Sequence, residues 1–233
     1  MTGSSKSPSP SSAAGSAESD AATNLSSLQA ARSAVSALTA AGVTDVVIAP
    51  GSRSAPLAYA LAEAEMQGRV TVHVRIDERV AGFTALGLAR GGHRPAAVVT
   101  TSGTAVGELM PAVMEAHHAG VPLVVLSADR PAELHGTGAN QTTVQPGIFA
   151  QFPAATADVR AGDDPAGAIA AAFDQVSAGI PVGPIHINLQ FREPLIPQDT
   201  GDGELPVPET ASLGTGLPAE PVATGSEAAV LSR

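Results

Sequence analysis

The sequence has no cysteine, no tryptophan, a single tyrosine and five phenylalanines among its 233 residues. Without cysteine, disulfides and thiolate chemistry are excluded, a composition that fits a reducing compartment. With 3% aromatic residues, a core that draws on 44% hydrophobic residues has to be built from Ala, Val, Leu and Ile. Basic residues are also scarce: 12 Lys and Arg face 22 Asp and Glu, for a formal net charge of -10. That balance argues against general nucleic-acid binding and against attachment to anionic membranes. No apolar run approaches a membrane span, and no apolar segment follows Lys6 to make a secretory signal. The expectation is a cytoplasmic protein with no membrane span and no nucleic-acid partner.

Several short motifs are missing as well. There is no P-loop, no H-E-x-x-H and no G-x-S-x-G, and the first strand-to-helix turn lacks G-x-G-x-x-G spacing. Gly136-Thr137-Gly138 lies in an irregular stretch. His117 and His118 are neighbours on a helix and point in different directions, so a shared metal is not expected. Gly201-Asp202-Gly203 sits in a low-complexity segment.

What is present is strand and helix in alternation. Residues 1–24 are Ser, Ala, Pro and Gly with scattered charge and read as a disordered tail; residues 198–233 read as a low-complexity linker or tail. Between them, 25–197 reads as one domain. Asn24 or Ser26 can cap a helix in which Leu28, Ala31, Val35 and Leu38 recur at helical spacing before Gly42. Strands are expected at Val43–Ala49, Val70–Val74, Pro95–Thr100, Val121–Leu126 and Gly183–Leu189, with a short one ending near Val159. Helices are expected from Ser54 or Pro56 to Gln67, from Val80 to Leu88 with Phe83 and Leu86 towards one face, from Ala105 to His118, and from Ala166 to Ser177. Glu133–Phe152 lacks clean periodicity and reads as a long loop with a short helix. The pattern predicts a three-layer α/β fold, a mostly parallel sheet with helices on both faces.

In such a sheet, ligands bind beyond the carboxyl ends of the strands. Ser52 and Arg53, Asp77 and Glu78, Ser102 and Gly103, and Asp129 and Arg130 all fall at those ends. Right-handed crossovers would gather them on one sheet edge. Each corner has a purely structural reading: Asp77 as an N-cap and Glu78 as a first-turn acid, Arg53 as a turn residue, Thr101–Thr104 as a simple cap. As functional groups, an arginine in the crevice suits a bidentate grip on a carboxylate, and a small-residue corner admits a flat ligand to the backbone.

Longer stretches carry a resemblance. APGSRSAPL at Ala49–Leu57, HVRIDERVAGFTALGLA at His73–Ala89, VVTTSGTAV at Val98–Val106, EAHHAGVPLVVLSADRP at Glu115–Pro131, GTGANQT at Gly136–Thr142 and NLQFREPL at Asn188–Leu195 occur in order. Together they resemble the N-terminal pyrimidine-binding domain of the thiamine-diphosphate enzymes, and within them the synthases of menaquinone biosynthesis. The resemblance implies that Glu78 is catalytic, hydrogen-bonding the cofactor's pyrimidine ring, with Ser102 and Gly103 beside that ring. It implies that Ser52, Arg53, Arg130, Asn140 and Gln141 face the substrates, isochorismate and 2-oxoglutarate. Both substrates are carboxylates, which arginine forks suit. The implied cofactors are thiamine diphosphate and Mg2+, the latter held by a C-terminal domain through a G-D-G…N motif. No metal ligand is expected in the chain itself.

The family's complete enzymes carry middle and C-terminal domains and form homo-oligomers. The 233 residues hold neither domain, so the expectation is a fragment, a truncated product or one piece of a split enzyme, carrying half a site and inactive alone. The alternative is a non-catalytic or split-enzyme binding module that pairs with a separate polypeptide.

Overall fold

The computed structural model describes residues 24–177 and 182–196. The expected tails at 1–24 (Asn24 apart) and 198–233, with Gly201-Asp202-Gly203, lie outside the described residues. Within them the α/β expectation holds. Six strands form one sheet in the order β2-β1-β3-β4-β6-β5, and every pairing is parallel. The strands are β1 (Asp45–Ile48), β2 (Thr71–Val74), β3 (Ala96–Thr100), β4 (Leu123–Asp129), β5 (Ala155–Val159) and β6 (Ile185–Gln190). The helices are α1 (Ser27–Ala40), α2 (Ala55–Met66), α3 (Glu78–Gly92), α4 (Thr104–Gly107), α5 (Met110–Ala119) and α6 (Ala166–Ser177), with one 3-10 turn at Ala132–Leu134.

Helix ends follow local chemistry. Ser26 closes a capping box with Gln29 at the start of α1, satisfying two backbone donors that the first turn leaves free. Pro56 sits in the first turn of α2, where its missing N–H costs nothing. Asp164 accepts from the Ala166 amide ahead of α6. Gly120 takes the left-handed conformation (φ 61) that ends α5, as glycine readily does.

Two cores flank the sheet. Helices α1, α2 and α6 bury Val35, Leu38, Leu57, Leu61 and Ile169 against Val46, Ile48, Val99, Leu126, Ile187 and Leu189. On the other face, α3 and α5 bury Ala81, Ala85, Ala89, Ala112, Val113 and Ala116 against Val47, Val98 and Val125. Strands β1, β3, β4 and β6 are covered on both sides; β1, β3 and most of β4 read as near-continuous apolar runs, while β6 alternates apolar and polar residues.

Two of the expected helices differ from expectation. The helix expected over Ala105–His118 is two helices, because Pro111 lies at the start of α5 and has no N–H to continue the ladder from α4. Helix α3 runs on to Gly92 and ends at His93 in the left-handed region (φ 50). Its buried stripe is Ala81, Gly82, Ala85 and Ala89, while Phe83 stays 42% exposed. The small stripe is needed because α3 and α5 approach closely: a Cβ on Gly82 would lie 3.0 Å from Leu109 Cδ2 and 3.1 Å from Ala112 Cβ.

Candidate functional site

Because all strands are parallel, their carboxyl ends share one edge. Read across the sheet from β2, the corners are Glu78 after β2, Ser52 and Arg53 after β1, Ser102 and Gly103 after β3, Asp129 and Arg130 at the end of β4, and Phe191–Glu193 after β6. At about 4.8 Å between neighbouring strands, the β2 corner stands roughly 10 Å from the β3 corner.

At the first corner, Asp77 is the N-cap of α3, and its carboxylate accepts from the Val80 amide at 2.8 Å. Glu78 is the first helical residue and is half-buried. Among the described residues no donor reaches its carboxylate. The helix N-terminus favours a negative charge there.

At the second corner, Gly51 lets β1 close on β3, since a Cβ there would collide with the Thr101 side chain. Ser52 is exposed. Arg53 points inward and is only 9% exposed. Its Nη1 donates to Phe191 O at 2.9 Å, and its Nη2 lies 3.5 Å from Glu193 Oε1. Its Nε is buried without a partner among the described residues. Burial pulls the Arg53 pKa below the ordinary arginine value; Glu193 opposes that shift and Arg130 adds to it. Two guanidinium groups therefore share this crevice.

The third and fourth corners are tied into one knot. Arg130 Nη1 donates to Ser102 Oγ and, at 2.7 Å, to Gln141 O. Ser102 Oγ donates to Gln141 O at 3.2 Å, and Gln141 Nε2 donates back to Ser102 O at 3.0 Å. Gln141 itself is left-handed (φ 54). Gly103 has φ 81 and ψ -138; a Cβ there would lie 2.9 Å from both Gln141 Cγ and Gln141 O. The structure thus brings Ser102, Gly103, Arg130 and Gln141 together. Asn140 stays outside the knot, exposed, with its carbonyl accepting from Thr142 Oγ1 at 3.4 Å.

Behind the knot runs a buried polar ladder. On β4 and β6 the side chains alternate, with Leu126, Ala128, Ile187 and Leu189 packing into one core. Ser127, Asp129, His186, Asn188 and Gln190 are buried on the other face. Gln145, from the irregular loop, is fully buried among them. It accepts from Gly103 N at 2.8 Å and donates to Ala128 O at 3.2 Å and Asn188 Oδ1 at 2.9 Å. Asn188 Nδ2 donates to Asp129 at 3.0 Å and to Asp158 at 2.8 Å. Burial pushes the Asp129 carboxyl up, against the hydrogen bonds from Asn188 and the Arg130 amide.

Ser127 and His186 lie 2.8 Å apart, the spacing of a nucleophile and its base. Both are buried, so no substrate reaches them. Ser127 donates to Asn188 Oδ1, so it accepts from His186, which fixes the neutral Nε2–H tautomer. Burial lowers the His186 pKa to about 4, partly opposed by Asp158.

Sequence reasoning missed Gln145, Asn188 and His135, the last 3.4 Å from Asp129 Oδ2. The signal for Asn188 was present: polar residues at every second position of a strand buried on both faces require a buried network. Among the described residues, no group of three or more His, Asp or Glu is placed to hold a metal ion, and no helix is long and apolar enough to cross a membrane.

Comparison with known proteins bears on this geometry. Residues 28–149 match the family described as "Thiamine pyrophosphate enzyme, N-terminal TPP binding domain". A curated relative from Paenarthrobacter aurescens (strain TC1), named 2-succinyl-5-enolpyruvyl-6-hydroxy-3-cyclohexene-1-carboxylate synthase, is 62% identical over 179 residues, 76% of this chain and 32% of the relative. Proteins of the same name from Arthrobacter sp. (strain FB24) and Renibacterium salmoninarum are 59% and 54% identical, covering 74% and 84% of this chain and 29% and 36% of their own. The chain spans about a third of the length of these relatives.

Proposed function

The chain belongs to the family of thiamine pyrophosphate enzyme N-terminal TPP binding domains, and on that premise we propose that it is the counterpart of the N-terminal part of the synthase for which its relatives are named. In that reading it works in menaquinone biosynthesis, where 2-oxoglutarate is decarboxylated and its succinyl unit added to isochorismate. The site at the sheet edge is then the pyrimidine-facing half of a composite site.

The residues present fit that half. When bound, thiamine diphosphate supplies the carbanion chemistry that no side chain of this cysteine-free sequence offers. Glu78 holds and moves a proton at the ring nitrogen, since its carboxylate has no competing donor among the described residues. Ser102 and Gly103 offer backbone to a flat ring. Arg53 and Arg130 face the carboxylates of the substrates, together with Ser52, Asn140 and Gln141. The diphosphate and Mg2+ belong to another domain, in a cytoplasmic homo-oligomer. The apolar surface of Val74, Ile76, Val80 and Phe83, of which Ile76 is 87% exposed, is where that domain packs.

The observation that carries this reading is the division of labour between Asp77 and Glu78. Asp77 alone makes the cap, so Glu78 is not needed to start the helix. The test pairs this chain with a diphosphate-binding half, fused or in trans, and follows exchange of the thiazolium C2 proton of thiamine diphosphate for deuterium. Exchange well above that of free cofactor, and its loss in Glu78→Gln, supports the reading. Exchange no faster than that of free cofactor overturns it. The 233-residue polypeptide alone is expected to consume neither substrate.

A further inference from the structure

We infer that Gln145 is a positioning residue that sets the Gly103 amide, and with it the corner at which the pyrimidine ring binds; this rests on the site reading above. The side chain orientation is fixed by its partners. Gly103 N–H can only donate, so Gln145 Oε1 faces it at 2.8 Å; Ala128 O can only accept, so Nε2 faces that at 3.2 Å. Nε2 also donates to Asn188 Oδ1 at 2.9 Å. One carboxamide therefore joins the ends of β3, β4 and β6, and no polar atom of it is left over.

The corner needs this support. Gly103 is held at φ 81 and ψ -138, a conformation other residues rarely adopt, and it opens a helix of four residues that is too short to fix its own start. Gln141, which touches Gly103 on its other side, is itself strained at φ 54. Gln145 is the rigid member of the pair: it is fully buried, whereas Gln141 is exposed. Asn188 in turn is held by Asp129 and Asp158, so the corner is braced against the whole β4–β6 ladder.

The test uses Gln145→Glu in the assembled synthase. A protonated glutamic acid reproduces both roles, accepting from Gly103 and donating to Ala128 or Asn188. The carboxylate cannot donate, and it then faces two acceptor oxygens. Thiamine diphosphate affinity in Gln145→Glu should match the parent at the acid end and fall about tenfold relative to it as pH rises. Asp129, Asp158, His135, His186 and Arg130 face this ladder in both proteins, so the parent is measured beside the variant at each pH. Gln145→Met should lose about tenfold at every pH and exchange its Gly103 amide faster. A Gln145→Glu profile superimposable on the parent's overturns the inference, and decides it even where Gln145→Met does not fold. Failure of the parent to bind thiamine diphosphate overturns the site reading itself, and this inference with it.

Discussion

Asp77 and Glu78 are adjacent carboxylates with separate tasks: Asp77 accepts from the Val80 amide at 2.8 Å as the cap of α3, and Glu78 is left without a donor among the described residues. The two substitutions should separate stability from chemistry. Asp77→Ala removes the cap and should lower unfolding free energy by about 1 kcal/mol, read by urea denaturation. Glu78→Gln should move stability by less than about 0.5 kcal/mol yet slow C2-proton exchange in the assembled enzyme by roughly 10²–10⁴-fold. Equal exchange rates in the parent and Glu78→Gln proteins would remove Glu78 from its role.

Two glycines, one at the site and one on α3, should respond in opposite directions to alanine. At Gly103, a Cβ meets Gln141 O at 2.9 Å in a backbone conformation with φ 81, so Gly103→Ala should cost about 1–3 kcal/mol. Gly87 lies on the exposed face of α3 with nothing within 4 Å of an added Cβ. Gly87→Ala should stabilise by roughly 0.5–1 kcal/mol through helix propensity. Thermal melts of both variants under one buffer decide the matter.

The buried ladder predicts acid sensitivity. Burial lowers the folded His186 pKa to about 4, from the ordinary 6.5 of an exposed histidine. Between those values the unfolded chain binds a proton that the folded one does not. Stability therefore falls as pH falls through that window, by about 1.4 kcal/mol per pH unit once the unfolded histidine is charged. Asp129 acts with the opposite sign, because its carboxyl is raised and so binds its proton more tightly when folded. His186→Gln should flatten the slope of unfolding free energy between pH 6.5 and 4. A slope left unchanged by His186→Gln would contradict the assignment.

The architecture was legible in the sequence where periodicity and burial agree, and the site only where a residue sits at the end of an element. The strands β1, β3 and β4 announced themselves as apolar runs, and Ser26, Asp77 and Gly120 marked helix ends by their own chemistry. The break before α5 was also written, in Pro111, which the expectation of one helix from Ala105 to His118 passed over. Phe83 was harder: its size suggested a core position, yet the close contact of Gly82 with α5 reserves the buried face for small residues. Gln145 was not legible at all. It lies in an aperiodic loop, and its partners Gly103, Ala128 and Asn188 come from three separate strand ends, so no local pattern could join them.

Arg53 is the residue whose structural role and proposed substrate-facing role are hardest to separate. Its Nη1 is committed to Phe191 O at 2.9 Å, and Glu193 lies 3.5 Å from Nη2. Nε remains buried and without a partner among the described residues, a donor whose desolvation is costly. Arg53→Lys keeps one charge and the bond to Phe191 O but loses the planar fork, and with it the second, parallel hydrogen bond to a carboxylate. In the assembled enzyme it should leave C2-proton exchange nearly intact, because Glu78 stands on a different corner of the sheet. It should weaken handling of a carboxylate substrate by about 2–5 kcal/mol if the pair is desolvated, measured as kcat/KM. Stability is the control, since loss of the second Nη group also frees Glu193. A Tm close to the parent's with an unchanged kcat/KM for both substrates would return Arg53 to a purely structural role, holding the Phe191 turn beside β1.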